Sequence, residues 1–248
     1  MRNKKKKKLV RDKMAEETKQ WYVGGHFVDS RKIVNFFFKT FFIGGIVGFV
    51  ASFFIMWSEY SAVLSPFDAK EVLGVALFFL GYGLVFTVVA QTGFFAYLFV
   101  HRYGQSFFRS FWPVVQVLLI LFALFDLIYF TSDELSLGFK FTLAGTILVV
   151  GVLAAWLKMK QTNGTAFVPA LFLMIVISAL ELSLVLRAAD ISFILLMLVP
   201  VLVVNAYQLL TLQKVTQVDE AHKRRIEERR KQRMKAKAQQ DKVKKGKQ

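Results

Sequence analysis

Few side chains in this 248-residue chain have the types and spacing that chemistry needs. Its three histidines, His26, His101 and His222, stand far apart, with no carboxylate or second histidine at ligand spacing. No zinc site is therefore expected. There is no cysteine, which excludes a disulfide framework and a thiolate metal site. The sequence contains no GxxxxGK phosphate loop, no GxSxG or HExxH motif and no paired aspartates of the membrane-protease kind. Catalysis inside a membrane needs such a nucleophile or metal. The expectation is a non-enzymatic protein without a cofactor.

Polar groups inside apolar stretches remain, and these are costly enough to be functional candidates. Asp126, Glu181 and Arg187 fall near the ends of their stretches, at similar depth on one side. As an outer polar cluster they would read an external ligand or pin two helices together; the alternative is that each reaches the interface alone. Gln91, Asn205 and Gln208 fall toward the other side, where interhelical amide hydrogen bonds are the expectation. His101, Arg102 and Arg109 share a short basic loop without an acid.

The elements that position these groups are long apolar runs. The mean hydropathy is +0.47 and there are 27 phenylalanines. About 20 apolar residues cross a bilayer core as a helix. Six such runs are visible, at 33–57, 72–100, 111–130, 141–157, 166–186 and 191–212. No strand-like alternation runs through them, which argues against a barrel. The hairpin at 87–130 orients the rest, because its basic loop marks a cytoplasmic turn. The segments assigned to the other side carry one cation each, Lys70, Lys140 and Arg187. The expected fold is an all-α integral membrane protein, a six-transmembrane helix bundle with both termini cytoplasmic.

Three local features sharpen this expectation. Gly44, Gly48 and Ser52 recur every four residues and offer a face for close helix approach. The second run is too long to stand upright, so it must tilt, bend or project. Pro200 should kink the last run.

The expected domains are a basic cytoplasmic tail at 1–32, the transmembrane domain at 33–212 and a second basic cytoplasmic tail at 213–248. The tails hold 11 Lys/Arg against 4 acids and 14 against 5, excesses that together equal the formal net charge of +16. Charge in low-complexity ends suits anionic lipid at the inner leaflet. A nucleic-acid footprint would need a shaped basic surface instead. Pairs four apart, Asp219 with Lys223, Glu220 with Arg224 and Glu227 with Lys231, would support a helix in the second tail.

Several stretches resemble one family. They are Gln91-Thr92-Gly93-Phe94-Phe95-Ala96-Tyr97, His101-Arg102-Tyr103-Gly104 and Phe125-Asp126-Leu127-Ile128-Tyr129-Phe130, then Lys158-Met159-Lys160 with Thr162-Asn163. Ala166-Phe167-Val168-Pro169-Ala170-Leu171-Phe172 and Asn205-Ala206-Tyr207-Gln208-Leu209-Leu210 complete the set. Together they resemble the KinB-signalling pathway activation proteins (KbaA-like) across about 33–212. The resemblance implies a multi-pass plasma-membrane regulator whose partner is a membrane histidine kinase feeding the sporulation phosphorelay. It brings no catalytic residues. The rival reading is a small permease or channel component, although no repeat relates 33–130 to 141–212 of the kind transporters show.

The charge pattern makes a direct prediction. Single cysteines at Ser61 and Ser132 should react with an impermeant thiol reagent in intact cells, and cysteines at Ser106 and Thr162 should not. External labelling at Ser106 would overturn the orientation.

Overall fold

Backbone groups in apolar runs must find partners within their own segment, and the chain answers with helices. The computed structural model describes residues 30–216 apart from Pro66, Phe130 and Ala189, together with Glu228 and Gln232. The chain divides into a body, Val34–Gln213, and a second unit made of Met1–Ile33 and Lys214–Gln248. The N-terminal basic run and the charge pairs of the second tail lie outside the described residues.

The helices are α1 (Ser30–Ile55), the short α2 (Trp57–Leu64), α3 (Ala69–Phe108), α4 (Trp112–Tyr129), α5 (Leu137–Gln161), α6 (Phe167–Phe172), α7 (Ser178–Leu186) and α8 (Ile191–Thr216). A π-helical turn, Leu173–Ile177, joins α6 to α7. Asp68 caps α3 by accepting from the Lys70 amide at 2.8 Å. Asp190 caps α8 from the Ser192 and Phe193 amides at 2.9 and 3.2 Å. Such caps satisfy donors that a helix start leaves open.

Among the described residues, five stretches are long and apolar enough to cross a membrane. The longest, Ala69–Tyr129, runs 61 residues and holds two of the six spans read from the sequence. They are separated at Arg109–Phe111, where a 3₁₀ turn reverses the chain and Trp112 packs back on Gly104. The basic loop is thus shorter than expected: 101–108 stays helical, and only the turn at Arg109 breaks the run. At 40 residues α3 is about 60 Å long, twice a bilayer core of roughly 30 Å. α8 runs without interruption through Pro200.

The stretches Gly164–Leu186 and Ile191–Gln213 are mostly buried inside the protein, and the other three mostly face outward. Leu173, Met174, Ile175, Ile194, Met197 and Val201 form the fully buried centre. The outside is apolar too, with Phe42, Phe54, Leu77, Phe122, Phe141 and Leu184 among many exposed large side chains. A belt of that extent suits lipid rather than water. The architecture is that of an all-helical bundle compatible with a membrane.

The small-residue face of α1 is a contact. A Cβ at Gly48 would run into the Gly83 Cα, and one at Gly44 into Thr87 and Val204. Ser52 shares a 2.8 Å hydrogen bond with Tyr60, whose ring stacks on Phe53 at 4.4 Å. Backbone thus meets backbone between α1 and α3. Gly48→Leu should lower stability in detergent by about 1–3 kcal/mol through overpacking. Gly74→Ala, where nothing lies within 4 Å, should leave the melting temperature unchanged or slightly higher.

Candidate functional site

Three helices bring their polar groups to one place in the core. From α8, the Asn205 Nδ2 donates to Glu181 Oε2 at 2.7 Å and to Ser178 Oγ at 3.0 Å, both on α7. From α3, Gly93 backs onto the Glu181 carboxyl, which occupies the space a Cβ at that position would need. Glu181 is 5 % exposed, and Ser178 and Asn205 are wholly buried.

Local sequence explains the convergence. The π-helical turn before Ser178 takes up an extra residue. That advances the facing of everything after it by roughly 100° relative to a regular helix. It turns Ser178 and Glu181 inward, toward α3 and α8. Glycine at 93 then leaves room for the carboxyl between α3 and α7.

The polar core is incompletely paired. Among the described residues, Glu181 Oε1 and Asn205 Oδ1 have no hydrogen-bond partner, and neither do the Oε1 atoms of Gln91, Gln116 and Gln208. An orphaned buried polar atom costs about 1–3 kcal/mol, so such groups ask for an explanation. Gln91 ties α3 to α1 through its Nε2, which donates to the Phe37 carbonyl at 2.8 Å.

A second polar grouping lies around His101. The Trp112 Nε1 donates to His101 Nδ1 at 3.1 Å, and Gln116 Nε2 approaches the same nitrogen at 3.4 Å. A nitrogen that accepts is unprotonated, so the ring is neutral with its proton on Nε2. Tyr97 stacks on His101, and Trp112 and Phe172 complete an aromatic group.

The structure therefore redistributes the residues singled out by sequence. Glu181, assigned to the outer set, is bonded to Asn205, assigned to the inner set. Asp126 is half-buried and Arg187 exposed, and among the described residues neither is hydrogen-bonded or ion-paired to Glu181. Gln208 is buried. Arg102 is exposed, and Arg109 forms the reversal with a positive φ of 48°. Sequence reasoning missed Ser178, Gly93, Trp112 and Gln116 as partners. The glycine inside an apolar helix was the one available signal, since such a glycine often marks close approach. Among the described residues no group of three or more His, Cys, Asp and Glu is suited to hold a metal ion.

Comparison with known proteins follows from these features. The family model KbaA, described as KinB-signalling pathway activation in sporulation, matches residues 44–215. A KinB-signaling pathway activation protein of Bacillus subtilis (strain 168) is 38% identical over 192 residues, covering 75% of this chain and 97% of that protein. No solved structure matches the chain.

The hydrogen bond at Glu181 sets a measurable expectation. Asn205→Leu strands a buried carboxyl and should cost about 2–3 kcal/mol, whereas Glu181→Gln keeps an acceptor and should cost less. A double-mutant cycle on Glu181 and Asn205, followed by thermal unfolding in detergent, should give a coupling of roughly 1–2 kcal/mol. The same cycle on Asp126 and Arg187 should give a value near zero; a large coupling there would restore the outer cluster.

Proposed function

Because the chain belongs to the KbaA family of KinB-signalling pathway activation proteins, we propose that it activates a sensor histidine kinase pathway feeding the sporulation phosphorelay. It does so from the plasma membrane as a multi-pass protein, without catalysis, through contacts between its helices and those of a membrane histidine kinase. The observation that carries this reading is the 38% identity extending over 97% of the B. subtilis protein. A match of that extent takes in the helical body rather than one shared motif.

Several features of the body support the reading. Its polar groups are spent on holding helices together: Asn205 on Glu181 and Ser178, Gln91 on the Phe37 carbonyl. Its outer face is a broad apolar belt, the surface through which membrane helices meet partners by close packing. Six spans with cytoplasmic termini fit the folding as well. The turn at Arg109–Phe111, the region of Lys158–Pro169 and the end of α8 border one cavity, so three segments assigned to the cytoplasm occupy one end of the bundle. The charge of the basic tails suits anionic lipid.

Deleting the gene in a spore former that carries it should reduce a kinase-dependent sporulation reporter to the level of a strain lacking the kinase, and the full-length protein should restore it. Tagged protein crosslinked in native membranes should retrieve a membrane histidine kinase. Normal reporter output in the deletion strain, together with solute uptake by purified protein in liposomes, would replace this reading with a permease.

A further inference from the structure

The end of the bundle that holds the reversal also holds a cavity of about 540 Å³. Its polar lining includes Gln105, His101, Arg109, Lys158 and Thr165, and among the described residues no acid contributes to the wall. Phe94, Pro169 and Leu209 supply part of an apolar remainder. The wall thus draws on α3, α4, α5, α6 and α8.

The charges in this wall are unbalanced. His101 is neutral, because its Nδ1 accepts from Trp112. Arg109 and Lys158 are left as two cations sharing one concave space without a carboxylate. Arg109 is exposed, whereas Lys158 is only 8 % exposed. A largely buried cation is costly unless an anion joins it.

A further observation points to an occupant. Arg109 holds φ at 48°, a region a non-glycine side chain disfavours. Strain of this kind collects at binding sites, where the surroundings over-determine the backbone. A ligand that answers this has an anionic group for the two cations and apolar matter for the remaining wall.

We infer that the cavity binds an anionic phosphate ester, its charge met by Arg109 and Lys158. The headgroup of an anionic phospholipid and a soluble glycerol phosphate share this chemistry. Such a ligand joins the ends of five helices, and the inference stands apart from the kinase reading, since either can fail alone.

The test uses the full chain in neutral detergent, tails intact. Its thermal unfolding is followed with phosphatidylglycerol, phosphatidylcholine or glycerol 3-phosphate. Phosphatidylglycerol should raise the melting temperature and phosphatidylcholine should not. Lys158→Gln and Arg109→Gly should each weaken the response about tenfold in ligand concentration, as loss of one charge-assisted contact does, and the double variant should abolish it. Arg187→Gln should respond like the wild type. Glycine accepts the backbone at 109 without strain, so Arg109→Gly should melt no lower than wild type when no ligand is added. Its lost response therefore cannot be ascribed to misfolding. A shift with glycerol 3-phosphate that vanishes in the double variant assigns the site to the soluble ester. Equal responses in wild type and double variant would credit the tails and overturn the site, as would no wild-type response to any of the three.

Discussion

The bond from Asn205 to Glu181 constrains more of this structure than any other single contact. A carboxyl buried between apolar helices must be met by a donor, because leaving it unpaired there is costly. Asn205 meets it at 2.7 Å and spends its other N–H on Ser178. To make that geometry, α7 has to face inward, which the π-helical turn at Leu173–Ile177 accomplishes. The third helix has to give up a side chain at Gly93. Two backbone irregularities and one amide thus serve a single acid, and together they fix how α3, α7 and α8 meet.

Elsewhere the helices are held by shape. Gly48 lets α1 lie against Gly83, with Ser52 and Tyr60 closing the far end by hydrogen bond and ring stacking. Contacts of this kind depend on small residues because apolar side chains gain little by leaving lipid for one another. The two modes divide the body. Its centre is specified by polar pairing, and its periphery is specified by close approach beneath an apolar belt.

The two ends of the bundle are chemically different. One gathers Arg109, Lys158 and the neutral His101 around a cavity, with aromatic rings packed beside it. At the other, Lys140 is buried and spends its ammonium on the Thr131 carbonyl at 3.1 Å, so its charge is already engaged. This asymmetry gives the bundle a distinct basic face.

Composition and hydropathy alone determined that the chain is helical, apolar and organised as long runs, because each run has to satisfy its own backbone. The stretches around Gln91, His101 and Asn205 pointed to the family, and the four-residue spacing of Gly44, Gly48 and Ser52 showed a packing face. Counting along each run separated Glu181 from Asn205, which are bonded. Depth along a helix axis is linear in sequence, whereas facing and tilt are not. A π-helical turn shifts facing without leaving a motif, and helices of unequal length slide past one another. Only the tertiary structure decided which polar groups meet, where Arg109 turns the chain, and that Lys158, Arg109 and Gln116 share a wall. Those are relations between helices, and each helix's own pattern carries no record of its neighbour's register.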